Sequence, residues 1–164
     1  MMDLAEYAAA VVDIAGGQVV GKTRLQKIVY LLEAKGLGCD LDFDYHNFGP
    51  YSADLAFAVH DAEALGYLST DEKRGYHEVP YTIFTANPES PKFEENDRRP
   101  ERMDAVKVME NCSAVVLELA ATAVYLKDNG YANSAWEEVR RRKGIKASSA
   151  RLSAAKELVQ SLQL

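Results

Sequence analysis

Cysteine is nearly absent. The two among 164 residues, Cys39 and Cys112, form no Cys-x-x-Cys pair and have no clustered histidine beside them, which argues against a disulfide scaffold and a zinc site. Cys112 falls in a helical pattern and reads as a small core residue rather than a nucleophile. His46, His60 and His77 make no His-Glu-x-x-His or paired-ligand pattern, so no metal is expected. The Asp-x-Asp-x-Asp spacing of Asp40, Asp42 and Asp44 fails as a calcium loop, because Tyr45 and Tyr51 stand where glycine and a bidentate glutamate are needed. No serine lies in a Gly-x-Ser-x-Gly elbow. Long apolar runs are missing too: none approaches the roughly 18 residues that cross a bilayer. The start, Met1-Met2-Asp3-Leu4-Ala5-Glu6, is acidic where a signal peptide is basic. These absences lead to the expectation of a cytoplasmic protein that is not an enzyme, with no cofactor and no membrane contact.

What is present suits a globular chain: 48% hydrophobic and 27% charged residues, with a net charge of −6. The charge is uneven. Through residue 86, 6 Lys and Arg stand against 13 Asp and Glu, a balance of −7; from residue 87 on, 13 stand against 12, a balance of +1. Such an acidic first half is poorly suited to phosphates.

Apolar spacing divides the chain. Leu4, Tyr7, Ala8, Val11, Ile14 and Ala15 mark a first helix stopped by Gly16-Gly17. Gln18 to Val20 is at most a minimal strand. Leu25, Ile28, Val29 and Leu32 mark a second helix over 22–35. Alternation over 40–45 predicts a short strand with Leu41, Phe43 and Tyr45 inward. Phe48-Gly49-Pro50-Tyr51-Ser52 reads as a turn feeding a helix to about Leu65, with Ser52 as its cap. Residues 67–70 and 79–84 read as a hairpin with a charged tip over 71–75, and Pro80 places its strand at an edge. Residues 87–100 carry three prolines and read as a linker or surface loop. One long helix is expected over 103–125, a short one opened by a capping box at Ser134-Ala135-Trp136-Glu137, and a last one over 150–162. The fold class is mostly α (α+β): a winged-helix-like core over 1–86 with a small hairpin, and a helical extension over 101–164 packing on it. The apolar stripe of 103–125 either closes the core or pairs with a second copy as a homodimer.

Two motifs compete with a binding role. Gly16 to Thr23 matches the Gly-x-x-x-x-Gly-Lys-Thr pattern of a nucleotide-binding P-loop. A working P-loop follows a buried strand and needs an acidic residue ending a second apolar strand to hold Mg²⁺, and neither is legible. The basic run Arg140, Arg141, Arg142 and Lys143 is the one candidate nucleic-acid patch of a DNA-binding regulator. The helix that would enter DNA carries Asp54, Asp61 and Glu63 without a Lys or Arg, so nucleic acid is disfavoured.

The blocks Lys22-Thr23-Arg24-Leu25-Gln26-Lys27-Ile28-Val29-Tyr30-Leu31-Leu32, Phe43-x-Tyr45, Phe48-Gly49-Pro50-Tyr51-Ser52 and Leu65-Gly66-Tyr67-Leu68 carry a resemblance. Over about residues 3–86 the chain resembles the Panacea, or SocA-like antitoxin-associated, domain, and within it the short YwgA-like proteins. The resemblance implies a non-enzymatic protein whose relatives neutralise toxins by direct contact or act as adaptors delivering a toxin to a protease. It also accounts for Gly21-Lys22-Thr23 without a nucleotide. The expected partner is therefore a protein, a toxin or a protease substrate. The expected contact residues are Tyr45, Phe48 and Tyr51 with an exposed basic face of Lys22, Arg24 and Lys27, since aromatic and Arg side chains dominate interface hot spots. The three aromatics have a plainer alternative, packing the core helices together.

Overall fold

Asp3 opens the first helix with a reciprocal capping box: it accepts from the Glu6 amide while Glu6 accepts from the Asp3 amide. In the computed structural model, which describes residues 1–164, this helix, α1, runs Leu4–Ile14. Ala8 to Val12 are buried on every side, so the helix is central rather than striped. Its small residues let α3 (Ala53–Ala64), α4 (Arg99–Glu110) and the sheet close around it. Gly16 and Gly17, both at positive φ, end it, and β1 (Gln18–Val20) follows at once.

α2 (Lys22–Ala34) buries its whole middle, Leu25 to Leu32. Beyond it the expected strand over 40–45 is displaced: Asp40 adopts a positive φ, and β2 begins only at Asp44 (Asp44–His46), pairing with β3 (Gly49–Tyr51). The stretch read as a simple turn is thus half of a tight hairpin. Ser52 caps α3 by accepting from the Leu55 amide. Leu65, expected as the approximate end of this helix, follows α3 directly and is exposed.

β4 (Leu68–Arg74) and β5 (Pro80–Ala86) form a longer hairpin than alternation suggested, because strand pairing continues through the charged stretch to Arg74. The sheet order is β1-β5-β4, all antiparallel, so β5 is the central strand rather than an edge. Pro80 is tolerated there because β1 reaches only Ile83 to Thr85 and leaves the start of β5 without a second neighbour.

Residues 87–98 fold back against the first half: Phe93 is buried edge-on to Tyr7 at 5.4 Å, and Lys92 Nζ donates to Asp13 at 3.0 Å. The single long helix expected over 103–125 is two, α4 and α5 (Ala114–Asp128), broken where Ser113 accepts from the Val116 amide and starts a new helix. α6 (Ala135–Lys143) begins at Ser134, whose side chain makes no cap bond, so the capping box does not form. α7 (Ser149–Ser161) completes the chain. Val116, Leu117, Ala120 and Val124 of α5 lie buried among α2, α6 and α7, so the apolar stripe closes the core and is not a free face for a second copy. One continuous core joins both halves in an α+β fold. No helix is long and apolar enough to cross a membrane.

Candidate functional site

Two of the four blocks that carry the resemblance, 22–32 and 48–52, meet each other in space. The Gln26 side chain donates to the Ser52 carbonyl and accepts from the Ser52 amide, both at 2.9 Å, as a neighbouring strand would. Lys27 Nζ donates to the Pro50 carbonyl at 2.6 Å. Gly49, between them, has φ +88°, and a Cβ there would stand 2.5 Å from Thr122 Oγ1 on α5. Only glycine fits both the conformation and the space. Leu-Gln-Lys and Gly-Pro-Tyr-Ser are therefore one device that fastens the β2–β3 hairpin between α2 and α5.

The basic side of α2, expected to be an exposed contact face, is mostly spent inside the fold. Lys27 is only 1% exposed. Burial outweighs the favourable charge of Glu118 and pushes its ammonium down to about 8. Arg24 donates to the carbonyls of Met109, Glu110 and Cys112 at 2.7 to 3.2 Å, capping the C-terminus of α4. Lys35 does the same for α7 through the Leu162 carbonyl. Lys22 alone remains exposed.

The run 140–143 likewise fails to form one basic surface. Arg141 and Arg142 both bind Glu138, and those hydrogen bonds hold its carboxyl down at about 2. The Lys143 side chain is buried, 3.1 Å from Glu118 and 3.2 Å from the Asn47 carbonyl. Lys146 reaches Glu118 from the other side at 3.1 Å. Arg140 alone is unpaired. A lone carboxylate within the apolar run of α5 was the legible signal for Glu118, and sequence reasoning passed over it.

These cations hold two of the hairpin aromatics. Arg142 and Lys143 lie over the Tyr45 ring at 4.9 and 5.6 Å, with Tyr125 at 5.8 Å. Tyr45 is thus a packing residue between the hairpin, α5 and α6. Phe48 differs: it is 53% exposed, steadied by Lys146 at 4.6 Å. Tyr51 stacks on His46 at 4.7 Å.

Phe48 and Tyr51 stand at the wall of a cleft of about 560 Å³ between the start of α2, the β2–β3 hairpin, α3 and the inner face of the sheet. Leu55, Val59 and Phe84 supply its apolar lining, while Lys22, His46, His60 and Glu72 supply polar groups. Its volume falls in the range of clefts that hold ligands in other proteins, and its lining mixes apolar and polar groups. The α3 residues of this wall were read only as core or surface positions of a helix. The cleft they share with β4 and β5 depends on tertiary packing that no local pattern announces.

The chain is similar to YwgA. The match is to the uncharacterized protein YwgA of Bacillus subtilis (strain 168), 25% identical over 111 residues that make up 66% of this chain and 66% of that protein. No model of a known protein family matches the chain.

The remaining motifs carry less. Gly16 to Thr23 runs from a helix end through β1, which is paired with β5, into the start of α2. It is therefore not the continuous glycine loop after a buried strand that a phosphate cradle requires. Burial pushes the Cys39 thiol up to about 12 and raises that of Cys112, so neither is poised as a thiolate. No three His, Cys, Asp or Glu side chains converge as a metal site.

Proposed function

We propose that this chain is a non-enzymatic protein-interaction module of the Panacea type, an antitoxin or proteolytic adaptor, that grips a segment of its partner in the cleft beside the β2–β3 hairpin. The observation that carries this reading is the cleft itself. An aromatic side chain, Phe48, is held half in solvent at its wall, on a hairpin fixed from behind by Lys27, Lys143 and Glu118. A rigid aromatic anchor beside an apolar pocket is the arrangement that concentrates binding energy in protein interfaces. Similarity to YwgA and the structural joining of the Leu-Gln-Lys and Gly-Pro-Tyr-Ser blocks support the family reading.

The core is winged-helix-like in this proposal. Three helices lead into a β-hairpin, and the sheet order β1-β5-β4 brings the short strand after α1 against the last strand. α3, in the place of a DNA-reading helix, presents Asp54, Asp61 and Glu63 and no Lys or Arg, which favours a protein over phosphates as its ligand.

The test is capture from the native cell with a tagged chain. The wild type recovers one protein in stoichiometric amount. Ala56→Arg, which fills the cleft from an exposed helix position, and Phe48→Ala both lose it while melting as the wild type does. Recovery by both variants equal to wild type refutes the cleft as the contact site.

A further inference from the structure

A second cavity, of about 510 Å³, lies among α5, α6 and α7 and shares no residue with the cleft. Three cations from three different helices line it: Lys127, Arg140 and Lys156. None has a carboxylate partner within the protein, although most other lysines and arginines of the C-terminal half are paired or bonded to backbone carbonyls. Glu137 is the single acidic side chain of the lining. Lys156 Nζ stands 5.7 Å from the centre of the Trp136 ring, and Val124 and Val159 form an apolar floor between the charges. α6 begins at the rim with its first amides uncapped by Ser134, which adds to the positive potential. In a chain whose net charge is −6, three cations gathered at one concavity against the one carboxylate side chain of Glu137 leave a local positive excess that focuses a field attracting anions.

We propose that this cavity binds an acidic peptide segment of a protein, its carboxylates paired with Lys127, Arg140 and Lys156 and an aliphatic side chain seated on Val124, Val159 and Trp136. Cations spread over three helices around an apolar floor suit a ligand with several carboxylates flanking an apolar group, whereas one small anion would leave the floor uncovered. The site stands independently of the cleft, and either could exist without the other.

Trp136 is the only tryptophan in the chain, so its emission reports on this cavity alone. The probe is a terminally blocked pentapeptide with two glutamates on each side of one leucine, titrated at low salt. A saturable change in emission is expected, fading as salt is added. Replacing Lys127, Arg140 and Lys156 together by glutamine is expected to weaken binding about tenfold or more. The same peptide with glutamine for glutamate is expected to give no saturable change. Phe48→Ala keeps the wild-type affinity, which separates this site from the cleft. An unchanged emission, an equal response to the glutamine peptide, or undiminished binding by the triple variant would overturn the proposal.

Discussion

Lys27 offers the sharpest test of how the hairpin is fastened. Its ammonium is held at about 8 against 10.5 for a free lysine. At roughly 1.4 kcal/mol per unit, keeping the buried side chain charged at neutral pH costs about 3 kcal/mol. The bond to the Pro50 carbonyl returns about 1.5 to 2 kcal/mol of this, since hydrogen bonds to charged groups sit in that range. Lys27→Met keeps the length of the side chain and removes both terms, while Glu118 keeps Lys143 and Lys146. The variant is therefore expected to be more stable than wild type by about 1 kcal/mol at pH 7, read as a higher urea midpoint. The pH dependence carries the sign. Below pH 8 the lysine is protonated whether folded or unfolded, and the penalty is present in full. Between about 8 and 10.5 the folded protein has released the proton and the unfolded chain has not, so this lysine by itself makes wild-type stability climb with pH. In the whole protein the climb is opposed from about pH 9, where the unfolded chain ionises first Cys39 and Cys112 and then Tyr7 and Tyr30, all of which burial raises in the fold, so the lysine's sign is read from the difference between wild type and Lys27→Met, in which these contributions cancel. Lys27→Met lacks the climb. A stability difference between wild type and Lys27→Met that stays constant from pH 7.5 to 9.5, with the variant about 2 kcal/mol less stable at pH 7, would refute the reasoning.

Three further outcomes follow from the same contacts. Gly49→Ala meets Thr122 Oγ1 and a positive φ together and is expected to lose about 2 to 4 kcal/mol in urea unfolding. Glu118→Gln leaves the buried Lys143 without a counter-charge and is expected to cost about 3 kcal/mol, with the loss persisting at high salt because the pair is shielded from solvent. At the tip of the β4–β5 hairpin, His77 and Glu78 both take positive φ (57° and 61°), and the pair His77→Asn with Glu78→Gly is expected to raise the melting temperature by a gain of about 1 kcal/mol.

Much of the architecture was legible because it is local. Gly16-Gly17 and Ser52 each mark a helix end by chemistry that needs no distant partner, whereas the Asp3–Glu6 capping box, just as local, was passed over. The helical periods over α1, α2, α3 and α7 fall where expected. Failures arose where partners distant in sequence decide. Pro80 signals an edge strand, yet β5 is central because β1 pairs with its far end, and the proline is tolerated because β1 is too short to reach it. Lys27 and Arg24 look like solvated cations in an amphipathic helix. Their acceptors are carbonyls 23 and 85 to 88 residues away, which no spacing on α2 could foretell. Tyr45 and Phe48 were indistinguishable as sequence, and only the positions of Arg142, Lys143 and Lys146 divide them into a packed and an exposed aromatic. The polar lining of the cleft was hidden for the same reason, being assembled from α2, two hairpins and α3.

The central claim is that the contact surface is the cleft rather than another exposed face, such as the outer side of α4. Photo-crosslinking in the native cell tests it most directly, with a photoreactive phenylalanine analogue placed at Ala56, in the cleft wall, or at Val108, on the exposed side of α4. A single discrete adduct from Ala56 and none from Val108 is the result predicted. An adduct from Val108 with none from Ala56 would contradict it.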